Sequence, residues 1–290
     1  MLCTDNRHIG TYKCRDRELV IGRKTLVMGI LNCTPDSFSD GGRYTDIEAC
    51  LKQAEKMTEA GCDVIDIGGE ATNPKAGPVT AEEEISRIAP VISELRKRYD
   101  IPLSVDTYKS EVARAALDRG CDIINDITGF TGDPGMAQTA ASYGAGVILM
   151  FNSRTNGAAE DDKDADILER AEKELLKSIE TARAAGIPDD HIITDPGIGF
   201  GTSREQDGML TRDLLRFGFD GRYPVLYAAS RKRYAKFLSG KANADEDELD
   251  RITAGLSVTA AAAGAAMVRV HDVAGSRLAL NAFDSAYYCS

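Results

Sequence analysis

Charged and polar side chains close each of eight short apolar runs along the chain, and the most telling of them fall into three chemical sets. The first set is cationic. Ser230-Arg231-Lys232-Arg233 follows Val225-Leu226-Tyr227, and Arg269 with His271 follows Met267-Val268. Arginine offers phosphate oxygens a planar fork and lysine a point charge, so these segments suit an anion. Arg269 and His271 stand two apart at a strand end and therefore share one face. The second set is Asp106, Asn125 and Asp195, each closing a different run. Carboxylate and carboxamide groups at that depth suit a nitrogen-rich heterocycle with adjacent N–H and N sites. The third set is Asn32 with the loop Thr34-Pro35-Asp36-Ser37-Phe38-Ser39-Asp40-Gly41-Gly42. Oxygen groups beside a phosphate edge suit Mg2+, which takes one or two protein ligands and completes its shell with phosphate and water. A loop ending in two glycines also suits a lid.

The first two sets have a plainer explanation. A basic run from Arg231 to Lys236 is also what a solvated helix start looks like, and Asp and Asn commonly cap helices or close turns. His8, His191 and His271 lack metal-ligand spacing, and the chain holds neither G-x-x-x-x-G-K-[ST] nor a dinucleotide glycine fingerprint.

The runs that carry these groups read as buried parallel strands. Leu26 to Leu31 leads to Asn32, Val64 to Gly68 contains Asp66 and leads to Glu70 and Thr72, and Leu103-Ser104-Val105 leads to Asp106. Ile123-Ile124 leads to Asn125 and Asp126, Gly146 to Met150 leads to Asn152, and Ile192-Ile193-Thr194 leads to Asp195. The two cationic segments follow the seventh and eighth runs, where barrels most often hold a phosphate. Between runs, apolar spacings of three and four predict amphipathic helices, as in Ile47, Cys50, Leu51, Ala54 and Met57 before Gly61. A second is Leu168, Ala171, Leu175, Ile179 and Ala182 before Gly186 and Pro188, and Thr80 with Glu83 has capping-box spacing.

Eight alternations in 290 residues predict a single α/β domain, a (β/α)8 TIM barrel, which typically takes about 250 residues. A doubly wound open sheet is the competing arrangement. The barrel is placed at residues 25–290, with 1–24 a short N-terminal extension for which a hairpin at the barrel floor is one arrangement. The catalytic face then collects Asn32, Asp66, Asp106, Asn125, Asp126, Asp195, Lys232, Arg269 and His271. Residues 152–166 are expected to form a solvated loop at its rim, and 241–250 an acidic surface excursion.

Composition narrows the class. A net charge of −11 argues against nucleic acid or an anionic membrane as partner, so an anionic substrate must be met by local positive charge. The seven cysteines form no C-x-x-C pair and read as reduced thiols. No apolar leader and no run of 18 apolar residues is present, so the expectation is a soluble, cytoplasmic protein.

Seven ordered segments resemble the signatures of dihydropteroate synthase, the pterin-binding enzyme of folate synthesis. They are Met28 to Gly42, Asp66 to Thr72, Ser104 to Thr107, Ile124-Asn125-Asp126, Asp195 to Gly201, Ser230-Arg231-Lys232 and Arg269 to Val273. The resemblance spans about residues 26 to 285. It implies a barrel, usually a homodimer, that joins p-aminobenzoate to a dihydropterin-methyl diphosphate and releases diphosphate with Mg2+. By motif position it implies that Asp106, Asn125, Asp195 and Lys232 bind the pterin and that Asn32 holds Mg2+. Arg269 and His271 are implied to take the leaving diphosphate with Thr72 nearby, and Phe200 and Lys232 to form the aminobenzoate wall. Asp106, Lys232, Arg269 and His271 are the expected catalytic set. The chain departs from the family pattern at Asn73 for Arg, Arg233 for Ser, Ala228 for Gly, and Phe151-Asn152 for His-Met. Arg233 thus joins the candidate acceptor site. Two further readings stay open: a paralogue that keeps the pterin site with another acceptor, and a non-catalytic pterin-binding protein.

Overall fold

Eight parallel strands follow one another around a single sheet in chain order, each returning through a helix on the outside. The computed structural model describes residues 7–34, 42–70, 77, 79–154 and 166–288, with backbone only for 42–46. Strands β1 (Gly10–Cys14) and β2 (Arg17–Ile21) form an antiparallel hairpin. The barrel strands are β3 (Leu26–Asn32), β4 (Val64–Gly68), β5 (Leu103–Asp106), β6 (Ile123–Asp126), β7 (Gly146–Met150), β8 (Ile192–Asp195), β9 (Leu226–Tyr227) and β10 (Met267–Val270). β10 pairs with β3, and a bridge from Thr194 to Val225 joins β8 to the start of β9, closing the circle. This is a (β/α)8 barrel; an open doubly wound sheet would reverse its strand order and leave two edges.

Side-chain alternation divides each strand between two cores. Val27, Ile65, Leu103, Val105, Ile124, Val147, Leu149, Ile192 and Val268 face outward into the layer beneath the helices. Leu26, Met28, Val64, Ile123, Ile148, Ile193, Leu226 and Met267 face inward at the amino ends of the strands. Tyr12, Cys14 and Ile21 of the hairpin complete that inner cluster, so apolar side chains fill the barrel from below. Gly146 opens β7 where a Cβ would lie 2.3 Å from the Tyr12 hydroxyl, so only glycine lets the hairpin close in.

The helices are α1 (Gly42–Glu59), α2 (Ala81–Arg98), α3 (Ser110–Leu117), α4 (Met136–Tyr143), α5 (Ile167–Ala184), α6 (Arg204–Arg212), α7 (Arg233–Leu238), α8 (Glu246–Ala262) and α9 (Val273–Tyr287). Local chemistry sets their ends. The Thr80 side chain accepts the Glu83 N–H at the head of α2, Glu82, Glu83 and Glu84 fill its first turn, and Arg96, Lys97 and Arg98 its last. The polar stretch 241–250 is shorter as a surface excursion than its composition suggests, because Asp245 caps α8 and Glu246 begins it. Asn152 is buried, its Nδ2 donating to the Ile127 carbonyl at 2.9 Å, and residues 155–165 of the expected rim loop lie outside the described residues. Among the described residues no helix is long and apolar enough to cross a membrane.

If the hairpin is part of the barrel core, Tyr12→Ala removes a large fully buried side chain. Urea denaturation should then show a loss of about 3–5 kcal/mol. A change under about 1 kcal/mol would mean that the inner cluster stands without it.

Candidate active site

Above the apolar floor, the inward positions become polar. Asp66 lies two residues beyond Val64 on β4, Asn125 two beyond Ile123 on β6, Asp195 two beyond Ile193 on β8, and Arg269 two beyond Met267 on β10. Asp106 ends β5 opposite both Gly68 and Asn125. Arg269 reaches across this ring. Its Nε donates to Asp66 Oδ2 at 2.6 Å and its Nη2 to Asp106 Oδ2 at 2.5 Å. Asn125 Nδ2 donates to the same Asp66 oxygen at 3.1 Å. Asp66 is fully buried, and its Oδ1 has no partner among the described residues.

A guanidinium that is only 13% exposed would be costly without these carboxylates. Burial lowers its proton affinity, but the charges of Asp66 and Asp106 outweigh that and hold it above the ordinary arginine value. For Asp106 the balance runs the other way. Burial, with the neighbouring Asp66, pushes its carboxyl up to about 7 against the pull of Arg269 and Lys232. Asp195 is raised by burial too, although it accepts the Gly197 N–H at 2.8 Å.

Lys232 forms the facing wall. Its Nζ donates to the Ile198 carbonyl at 3.0 Å and lies 4.4 Å from the Phe200 ring centroid. Burial is the main force that lowers its ammonium to about 8, partly opposed by Asp195. The Phe200 turn is tightly built. Gly197 has φ of +73°, and a Cβ there would lie 1.8 Å from the Phe151 carbonyl. Asp207 Oδ1 accepts the Gly199 N–H at 2.8 Å and the Thr202 hydroxyl at 2.5 Å, while Arg233 Nη2 donates to the Thr202 carbonyl. Arg154 also lies over the Phe200 ring, 5.5 Å from its centroid.

The basic segment 231–233 has three separate fates. Arg231 takes a left-handed backbone with φ of +55°, and its side chain turns away to α8. There its Nε and Nη2 donate to Asp250 at 2.8 and 2.6 Å, and Nη1 donates to Glu246. Lys232 turns inward, and Arg233 sits exposed at the rim. His271 is part-buried beside Ser230, and burial with the charges of Arg231 and Arg269 lowers it to about 3, so the ring is neutral at physiological pH.

One cavity of about 650 Å³ gathers Asn32, Asp106, Phe200, Lys232, Arg233, Arg269 and His271 in its lining. Asn125 and Asp195 are buried at neighbouring strand ends. Thr72 and Asn73 lie outside the described residues, as do Pro35 to Gly41 of the glycine-ended loop. Asp126 does not join the group. It stands on the outward face of β6, where Oδ1 accepts from the Thr128 amide and hydroxyl, each at 2.7 Å, and Oδ2 from the Phe130 amide at 3.0 Å. Its role is to close a turn, the plainer reading of a strand-end Asp.

Several contributors were given no role by the motifs. Arg154 and Glu70 line the same cavity, and Lys109 donates to both Glu70 and the buried Glu84, the latter at 2.6 Å. Strand alternation puts Asp66 inside; only the structure shows that it shares Arg269 with Asp106. As for a metal, Asn32 is exposed at the end of β3 and lines the cavity, and Thr34 lines it as well. No group of three His, Cys, Asp or Glu residues that could hold a metal occurs among the described residues. Such a sparse oxygen set fits Mg2+ shared with a phosphate ligand and does not resemble a zinc cage.

Comparison with known proteins follows the same lines. The family model of the pterin binding enzymes matches residues 28–271. The dihydropteroate synthase of Clostridium beijerinckii is 43% identical over 220 residues, covering 76% of this chain and 79% of that protein. The Xanthomonas albilineans dihydropteroate synthase has been solved with 4-aminobenzoic acid, and this chain matches it with a TM-score of 0.87 at 36% identity over 95% and 97% of the two chains. The same enzyme with 7,8-dihydropteroate matches with a TM-score of 0.85 at 36% identity over 96% and 98%.

Replacing Arg269 should expose how much the ring depends on it. Arg269→Leu leaves Asp66 and Asp106 buried without their cation, an expected loss of about 3–5 kcal/mol on the alkaline side of neutrality. In that variant Asp106, already raised by burial and now without the pull of Arg269, titrates still further above its unfolded value of about 3.9, so its folded state holds the proton to higher pH than wild type does. The deficit should shrink as pH falls from the alkaline side toward about 7, where wild-type Asp106 takes up its own proton. Denaturant curves across this range that keep a constant gap from wild type would contradict the ion-pair account.

Proposed function

The chain belongs to the dihydropteroate synthases, transferases of the pterin-binding enzyme family, and we propose how its barrel mouth condenses p-aminobenzoate with 6-hydroxymethyl-7,8-dihydropterin diphosphate. The products are 7,8-dihydropteroate and diphosphate. One observation carries the site assignment: a buried Arg269 is held between Asp66 and Asp106 in the same cavity as Lys232 and Phe200. That arrangement offers negative and positive charge side by side.

Asp106, Asn125, Asp195 and Lys232 present donors and acceptors to the edges of the pterin ring, inside a polar pocket closed beneath by apolar residues. Arg269 has five N–H donors, of which two are used by Asp66 and Asp106. The remaining ones, with His271, serve the diphosphate, and Thr72 stands with them by motif position. Phe200 and the stem of Lys232 form an apolar wall for the aromatic acceptor, and Arg233 at the rim suits its carboxylate. Breaking the carbon–oxygen bond leaves the electron pair on diphosphate and positive charge on the pterin methylene. The Asp106 carboxylate opposes that charge, the arylamine nitrogen donates its lone pair to the carbon, and the ammonium proton then leaves. Asn32 would hold Mg2+, which when bound supplies positive charge at the leaving oxygens.

The wider setting is proposed on lighter grounds. Exposed Phe237 and Leu238 on α7 and Leu278 on α9 support a homodimer. The five described cysteines are all buried and none is in a disulfide, which supports a reducing cytoplasm.

The test is diphosphate release from the pterin diphosphate with Mg2+, with and without p-aminobenzoate. Acceptor-dependent release with dihydropteroate formed is expected. Tight pterin binding without that product would favour another acceptor or a non-catalytic binder. Because the reaction needs ionised Asp106, kcat/KM should fall as pH drops below about 7. Asp106→Asn should lower kcat by about 100- to 1000-fold and remove that limb. A variant as active as wild type would displace Asp106 from the mechanism.

A further inference from the structure

Ser230 and His271 come from adjacent barrel strands and meet twice. The His271 backbone N–H donates to Ser230 Oγ at 3.2 Å, and the same oxygen lies 2.9 Å from His271 Nδ1. A hydroxyl carries one hydrogen. Since Oγ is already the acceptor for the amide, its hydrogen is free to point at Nδ1, which must then be the bare nitrogen. The opposite tautomer would aim two N–H groups at one oxygen and leave the Ser230 hydrogen seeking another acceptor. Among the described residues no other bond takes it, and Ser230 is 4% exposed, so water is a poor substitute.

We propose that Ser230 is a positioning residue, fixing His271 as the tautomer that bears its hydrogen on Nε2 and so offers the cavity a neutral donor for an anionic diphosphate oxygen. This rests on the dihydropteroate synthase reading for the identity of the anion. The ring's neutrality has a separate cause, since burial and the charges of Arg231 and Arg269 all oppose a second proton. Tautomer therefore decides whether the ring helps. Ionised phosphate oxygens only accept, so a bare nitrogen facing them would repel and an N–H attracts.

The serine reaches this place because of the next residue. Arg231 holds a left-handed φ of +55°, a conformation disfavoured for a residue with a Cβ, and its fork onto Asp250 anchors the kink to α8. With the chain turned there, Ser230 faces His271, and Lys232 on the far side of the kink faces the pterin pocket. Ser230 and His271 both line the cavity that holds Lys232 and Arg269.

Isotope-edited NMR of the imidazole nitrogens, with His271 assigned by its loss in His271→Gln, reads the tautomer directly. Wild type should show a protonated Nε2 and a bare Nδ1, and Ser230→Ala should show exchange between tautomers. Calorimetry with inorganic diphosphate and Mg2+ as the probe should give a Kd about tenfold weaker in Ser230→Ala, with Ser230→Thr restoring both the tautomer and most of the affinity. A protonated Nδ1 in wild type, or a Ser230→Ala protein that keeps the wild-type tautomer and Kd, would overturn the assignment. Neither readout needs turnover, so an enzyme inactive with p-aminobenzoate would fail the synthase reading while leaving this one to be judged separately.

Discussion

An arginine buried inside a closed barrel constrains everything around it. Arg269 cannot lose its proton, and it cannot sit within the sheet unless carboxylates meet it there. Asp66 and Asp106 do so from neighbouring strands β4 and β5, with β3 between them and β10. The pairing therefore ties three strands at one height. A shift of one residue in any of them would turn its charged group outward into the aliphatic layer under the helices. In the mechanism proposed above the same contacts hold the charges that the reaction uses, so register and chemistry would depend on one ion-pair cluster.

That cluster is affordable because the rest of the interior is apolar. Inward residues at the amino ends of the strands join Tyr12, Cys14 and Ile21 of the hairpin to close the lower half. Water can reach the polar half only from the mouth. In such a setting desolvation dominates the acid–base behaviour: it raises Asp106 and Asp195 and lowers Lys232 and His271, each toward its neutral form. An anionic substrate entering this site brings charge of its own and shifts that balance, which favours ionised Lys232 when diphosphate is bound.

The order of strands and helices was readable in the sequence because apolar runs and three-and-four spacings are local signals. Inward positions followed from alternation, which put Asp66, Asn125, Asp195 and Arg269 on one side of the sheet. Alternation alone also separates Asn125 from Asp126, yet a carboxylate at a strand end looks the same in sequence whether it faces a ligand or closes a turn, so the sequence sets both at the catalytic face. The pairing of Arg269 with two acids spans more than 160 residues of chain, and no spacing rule reports it. The pairing of Lys109 with Glu70 and Glu84 likewise joins side chains that no spacing rule links.

The run Arg231-Lys232-Arg233 shows why composition misleads at a site like this. Read as a string it is a block of positive charge, suited to gripping phosphate as a unit. In the fold, Arg231 gives its charge to Asp250 and Glu246, Lys232 enters the pocket, and Arg233 stays at the rim. A positive φ at Arg231 creates that division, and the carboxylates of α8 stabilise the kink. Acidic residues far from the substrate therefore shape the cationic site. For a protein of net charge −11, this is a way to use acid as scaffold while leaving Lys232 and Arg269 to bring positive charge to the cavity.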